Sequence, residues 1–367
     1  MPHEQHAVRG KDHLSKSDRP RGCKPEPPKI LSPKIEPSNY GIQVDHLPIR
    51  VEGVVPVQQA GCAATERGQQ KAKERDRQAQ EQARERKKQS LLSDKQLTLW
   101  VDAVRGAPNE IVRSALFTAK NRKQVREDLK QAVVAVIGEG QITYTGEELR
   151  QDDETVWLQL IHLARENGLS TAFEFTPYSF CKAINWPING QSFDRLDKCM
   201  TRLQATSLKI ASKRLGDEVS LSMLPGYTAK RRKNGGDGGL WRIRMHDELV
   251  FLFSEFQYTR VEWQQRLALP EGLATWLHAY YASHREPFAV KVETLAVGAG
   301  LMTEAPEDAQ LDTADRDVKR KERLRGVKKL IVKALEALAE TGFLVDFEVT
   351  RSGLVNVRRA SDEHQIF

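Results

Sequence analysis

Residues Ile142–Ala164, ITYTGEELRQDDETVWLQLIHLA, decide how this chain folds. The run opens strand-like at Ile142 and Tyr144, turns at Gly146, and then falls into helical spacing. Val156, Leu160 and Leu163 recur at i, i+4 and i+7, with Trp157 and Ile161 widening the stripe, which predicts an amphipathic helix. Asp152, Asp153 and Glu154 fall in its first turn, where carboxylates suit the positive end of the helix dipole. A helix start is the plainer reading of these acids. A metal site would need His or Cys at workable spacing, and none is near in sequence.

Around that helix the spacing predicts a first domain over 108–264. A helix over 111–117 leads to strands at 132–137 and 141–145, joined in hairpin fashion by Gly138-Glu139-Gly140. After it come a short strand at 172–175 and a helix starting near Pro177. A break at Trp186-Pro187-Ile188-Asn189-Gly190 leads into a helix over 191–205. There Phe193, Leu196, Met200 and Leu203 share one face, and Gln191, Arg195, Lys198 and Arg202 are expected on the other. Two helices across a turn, the second with a basic outer face, read as a helix-turn-helix. Strands at 207–212, 218–227 and 240–245 follow. Between the last two, Lys230, Arg231, Arg232 and Lys233 precede a glycine-rich run, a cationic wing suited to phosphate contact. A solvated loop is the blander alternative. No helix or Lys-Ser/Thr follows the glycines, so they are not a phosphate-binding P-loop. A short buried helix at 250–253 and a strand at 258–263 close the domain.

The second domain, 265–367, repeats the order. A helix over 270–283, a strand at 287–291 and a helix at 292–298 precede an acidic loop at 303–317. A long helix over 318–340 then buries Leu324, Val327, Ile331, Leu335 and Leu338, while Arg325, Lys329 and Lys333 project at i, i+4 and i+8. Gly342 stops it. Strands at 343–350 and 354–359 are joined at Arg351-Ser352-Gly353, a second, smaller wing. The expected class is therefore α+β: two tandem winged-helix domains preceded by a disordered basic N-terminal tail.

That tail, 1–64, is Pro-, Lys- and Ser-rich and lacks the apolar surface needed to offset chain entropy. A charged helical linker, 65–107, follows, polar all round; it reads as a tether, or as an arm that holds DNA without reading it. At its end Gln96, Leu97, Leu99 and Trp100 resemble the QL(S/D)LF peptides that dock on the bacterial sliding clamp. Leu99 and Trp100 would fill an apolar pocket while the Gln96 amide makes hydrogen bonds. The first turn of a packed amphipathic segment is the alternative.

Of the formal net charge of +7 over 367 residues, most sits at the start: residues 1–90 hold 18 Lys and Arg against 12 Asp and Glu. Any argument for nucleic acid must therefore rest on local clusters. Cys23, Cys62, Cys181 and Cys199 form no CxxC pair, which suits reduced thiols in a cytosolic protein. Neither a secretory signal nor an eighteen-residue apolar run is present, so no membrane partner is expected. No Walker, HExxH, GxSxG or paired-His signature occurs, so neither an enzyme nor a cofactor is expected. His162 and His278 read as packing residues, and His284-Arg285-Glu286 as a helix cap and interdomain contact.

TYTGEELRQDDETVW, with RSALF at 113–117, RLQAT at 202–206 and SHREPF at 283–288, resembles the TrfA family, replication initiators of broad-host-range IncP-type plasmids. The resemblance runs in order over about 109–288. It implies binding to repeated origin elements (iterons), opening of an AT-rich region with single-stranded DNA exposed there, and recruitment of host DnaA and replicative helicase. It also implies sliding-clamp contact, with the family carrying Phe where this chain has Trp100, and a homodimer that dissociates to bind DNA. The family's shorter form from an internal start would here need a non-methionine codon, since Met200 is the next methionine after Met1. The runner-up function is a tandem winged-helix transcriptional regulator, which has no use for a clamp-docking peptide.

Overall fold

The computed structural model describes residues 58–93, 101–167, 172–213, 218–230, 239–253, 258–302 and 312–360. Contacts divide the chain into two units, Met1–Thr65 and Glu66–Phe367. In the first, only the opening of helix α1 (Gln58–Ser93) is described, so helix begins inside the stretch expected to lack structure. The remainder of the expected tail lies outside the described residues.

The second unit is mixed α+β. Strand β1 (Val104–Pro108) runs into a single turn, α2 (Asn109–Val112), and then β2 (Phe117–Thr118). A helix through Phe117 was expected. The Ser114 hydroxyl ends it early: it donates to Ile111 O at 2.8 Å and accepts from Leu116 N at 3.2 Å, a local alternative to the helical ladder. Strands β3 (Asp128–Val134) and β4 (Gln141–Glu147) form the expected hairpin, Val134 opposite Ile142. Then β5 (Leu149–Arg150) leads into α3 (Gln151–Glu166), the helix read from its stripe. Val156, Trp157, Leu160 and Ile161 are fully buried, but Leu163 is only half-buried and Gln151–Thr155, Leu158 and Gln159 are buried as well, so α3 is a central helix and not the amphipathic one its stripe predicts.

Beyond α3 lie β6 (Phe173–Phe175), α4 (Pro177–Ala183), α5 (Gly190–Gln204), β7 (Ser207–Ala211), β8 (Glu218–Leu221), β9 (Tyr227–Lys230) and β10 (Leu240–Ile243). The strand expected to continue to Tyr227 breaks after Leu221, within a stretch where Pro225 has no N–H to give a ladder. Its halves serve different sheets. β7 and β8 extend the early hairpin into an antiparallel sheet of order β3-β4-β7-β8, whereas β9 joins β6-β10-β9. Helix α6 (Leu249–Leu252) and strand β11 (Tyr258–Glu262) follow, and β11 pairs antiparallel with β1.

Next come α7 (Trp263–Ala268), α8 (Leu273–Ala282), β12 (Val290–Lys291), α9 (Val292–Gly298), α10 (Thr313–Glu340), β13 (Leu344–Val349) and β14 (Leu354–Arg359). α8 starts three residues later than expected because Gly272, at φ +121°, turns the chain before it; only glycine adopts that backbone cheaply. α10 starts five residues earlier than expected, capped by Asp312, whose carboxylate accepts from Asp315 N at 2.8 Å.

One topology occurs twice. With β7 and β8 set aside as an insertion between α5 and β9, α3-β6-α4-α5-β9-β10 and α8-β12-α9-α10-β13-β14 place three helices and three strands in the same order. In each, the first strand pairs with the third and the third with the second: β6-β10-β9 and β12-β14-β13. Each copy has its own hydrophobic cluster, one around α3 and α5 (Trp157, Leu160, Leu196, Met200, Leu203), the other around α8 and α10 (Trp276, Leu277, Ile331, Leu335, Leu338). Burying one such side chain contributes about 1.5–3 kcal/mol, which is what holds each helix face in place. The two cores are stitched together. Trp276 Nε1 donates to Ser114 O at 3.0 Å, and Ala119 N to Ala299 O at 2.8 Å. Arg113 donates to Ser283 Oγ at 2.8 Å and to its carbonyl.

Candidate nucleic-acid interface

Helix α5 is set by its cap and its greasy side. Asn189 accepts from Ser192 N at 2.9 Å, and Leu196, Cys199, Met200 and Leu203 bury against the first core. Of the four polar residues expected to face outward, Gln191 and Lys198 do so. Arg195 and Arg202 do not. Arg202 Nε and Nη2 donate to Asp153 Oδ1 at 3.0 and 2.8 Å, and its side chain is only 12% exposed. Arg195 donates to Glu271 Oε2 at 2.6 Å, lies 3.5 Å from Asp152 Oδ2, and stacks on the Trp186 ring at 3.9 Å. The outer face carries Asp194 and Asp197 beside Lys198, and Asp197 accepts from Tyr227 OH at 2.9 Å. No cationic stripe runs along α5.

The reason lies at the start of α3. Asp152, Asp153 and Glu154 do occupy its first turn, but all three are buried. Asp153 accepts from Arg150 N at 2.9 Å, from Arg126 Nη1 at 2.6 Å and from Arg202. Glu154 accepts from Arg266 Nη2 at 3.1 Å. Burial alone would raise the Asp152 carboxyl, but the Arg126, Arg195 and Arg202 guanidiniums outweigh it and hold that group below the usual range. Burial and the charge of Asp152 push Asp153 the other way. Asp152, Asp153 and Cys199 approach closely enough to share a cation, yet the guanidiniums already neutralise both carboxylates. This hub holds α5 against α3. Sequence reading missed it because acids at a helix start are explained by the dipole alone, and Arg126 stands in a loop with no periodicity to mark it.

The long helix behaves as its spacing predicts. Val327, Ile331, Leu335 and Leu338 are buried, Leu324 is half-buried, and Arg325, Lys329 and Lys333 are exposed with no ion pair among the described residues. Lys333 stands at the rim of a cleft of about 790 Å³ that it shares with Lys120, Arg122, Leu273 and Leu330. From Asp312 to Glu322 every residue is exposed, so the first turns of α10 stand clear of the core. Lys328 Nζ donates to Thr350 O at 2.8 Å, tying the helix to the β13–β14 turn, where Arg351 is exposed.

In the first copy of the topology, the β9–β10 ladder ends at Lys230 opposite Leu240. Arg231, Arg232 and Lys233 lie outside the described residues, as do Gln96, Leu97, Leu99 and Trp100. No helix among the described residues is long and apolar enough to cross a membrane.

The family described as TrfA protein matches residues 61–313. The plasmid replication initiator protein TrfA of Escherichia coli is 35% identical over 215 residues, which is 58% of this chain and 56% of that protein. The chain thus spans little more than half the length of this curated relative. Two crystal structures of domains 2 and 3 of RctB overlap 69% of this chain at TM-scores of 0.42 and 0.43. Their identities are 10% and 12%, and 98% and 97% of those chains are covered. The family match reaches beyond the motifs that suggested it and takes in α1 at one end and the start of α10 at the other. With more than half of its length matched, the chain belongs to the TrfA family.

Proposed function

We propose that this protein is a plasmid replication initiator, without enzymatic activity of its own, that binds repeated origin DNA through two winged-helix units, 108–264 and 265–367. The observation that carries the reading is the twice-used topology whose third helix, in the second copy, presents Arg325, Lys329 and Lys333 unpaired to solvent. A helix of this width fits the major groove, where arginine and lysine reach base edges and phosphates. The name of the Escherichia coli relative supports the same role. In the first unit, Gln191, Lys198 and the Lys230–Lys233 wing supply contacts, while Arg195 and Arg202 act from behind by holding α5. Arg351 extends the second unit's grip to an adjacent phosphate.

With no nucleotide hydrolysis to draw on, the energy for opening origin DNA comes from bending it and from occupying many repeats. Host DnaA, replicative helicase and the sliding clamp are the partners assigned, in the bacterial cytoplasm. A homodimer dissociates to the DNA-binding monomer, and exposed single-stranded origin DNA is a further ligand. Gel shifts on repeats from the host replicon over a salt series test the reading. Arg325→Ala and Lys329→Ala should each weaken specific binding by about 1–3 kcal/mol, whereas substituting Lys230–Lys233 should weaken all sequences alike and flatten the salt slope. A wild-type protein that holds repeats no better than mixed-sequence duplex sinks it. For the clamp, Leu99→Ala with Trp100→Ala should abolish retention on immobilised clamp; equal retention would remove that partner.

A further inference from the structure

Helix α1 runs for 36 residues, and over 68–91 its side chains are exposed almost throughout. Before Leu91 this stretch holds no apolar residue larger than alanine, so it has no greasy face for a membrane, a groove or a coiled-coil partner. What it offers is charge, in two carboxylate-free sectors: Lys73, Arg77, Arg84, Lys87 and Lys88 share the side that docks, and a second sector lies on the far side. At 3.6 residues per turn, Lys71, Arg75, Gln78, Gln82, Arg86 and Gln89 fall within one sector of about 80°. No carboxylate lies inside it. Glu74 pairs with Arg77 at 2.8 Å and Glu85 with Lys88 at 3.0 Å, both off this sector, while Lys71, Arg75 and Arg86 have no ion pair among the described residues.

The other side of the helix is the docked one. Arg84 lies over the Phe251 ring at 5.3 Å, Lys88 pairs with Glu248 at 3.5 Å, and Leu91 packs against the first core. These three positions lie about 120–180° from the middle of the cationic sector and centre about 150° away. The body therefore fixes which way the sector points, and it points to solvent. Cations interleaved with amides over about 27 Å suit one ligand, the phosphate–sugar edge of a duplex, where charge neutralises and amides hydrogen-bond without reading bases.

We propose that the Lys71–Arg75–Arg86 sector of α1 is a backbone-gripping arm on duplex DNA flanking the recognised repeat. It rests on the DNA-binding reading above and adds a surface to it. The test uses the full-length protein, with fluorescence anisotropy over a salt series on a repeat carrying either long or minimal flanks. Replacing Lys71, Arg75 and Arg86 by glutamine should leave helicity and melting unchanged, since these side chains form no ion pair with the body. On the long-flanked duplex the salt slope should fall by about 0.9 for each phosphate no longer neutralised, so by up to about 3. Minimal flanks should erase the difference between variant and wild type. Lys73→Gln/Arg77→Gln/Lys87→Gln removes equal charge from outside the sector and should change the slope less. Equal slopes in the two triple variants, an unchanged slope in the first, or a shift in oligomeric state alone overturns the arm. Wild type failing to bind any duplex would instead overturn the initiator reading itself.

Discussion

His278 sits on α8 with no exposed surface, its ring 4.4 Å from that of Phe343 and its Nδ1 without a hydrogen-bond partner. Burial, reinforced by the charges of Arg266 and Arg359, pushes it down to about 3. His162 on α3 is pushed down to about 4 by burial and by Arg105 and Arg165. The unfolded chain takes up these protons near pH 6.5, while the folded chain refuses them until far lower. Their contribution to stability is therefore full above pH 6.5 and is lost as the pH falls toward 4 and 3. Each should remove on the order of 2 kcal/mol of unfolding free energy between pH 6.5 and about 4.5. Urea denaturation across that range should show the decline, and His278→Asn should flatten it by one histidine's share; parallel curves would refute the assignment. The Asp152 shift acts in a lower window, below its ordinary 3.8, where protonation unpicks the arginine hub.

At the scale of elements, α5 and α10 were read by one rule and came out differently. In both, the apolar stripe correctly named the buried face, because burial follows periodicity along a single helix. The polar face was legible in full only for α10, whose flank meets few opposite charges; on α5 it held for Gln191 and Lys198 alone. On α5, Arg195 and Arg202 lie on a flank facing carboxylates placed about forty residues earlier, and no pattern within the helix reports a partner from elsewhere in the chain. The same limit explains β1 with β11, a pairing between segments that carry no shared signal, and the Ser114 hydroxyl that cut α2 to one turn. The separation of roles on α5 is measurable. Arg202→Met should cost about 2–3 kcal/mol in thermal or urea unfolding, by leaving Asp153 short of a partner. Lys198→Gln should stay within about 0.5 kcal/mol of wild-type stability and weaken DNA binding instead.

For the molecule as a whole, the decisive contact is between Arg266 on α7 and Glu154 on α3, with side chains 1% and 3% exposed and the charged atoms 3.1 Å apart. The same guanidinium donates to Gln151, Thr155 and the Thr275 carbonyl, so it locks α8 and the second core onto α3. Arg266→Met should cost about 3–5 kcal/mol by stranding a buried carboxylate, and adding Glu154→Gln should restore much of it. Both should be visible as shifts of a single denaturation midpoint.

Ser114, Ala119 and Ile137 precede α3 in the chain, yet they supply a roof for Trp276, a rung for Ala299 and packing for the second cluster. A gene fragment begun at residue 265 would therefore encode a half-house with one wall missing. Its product would bare the tryptophan that the N-terminal half normally covers. Workers wanting the C-terminal half alone should graft residues 113–137 back onto it, or expect inclusion bodies.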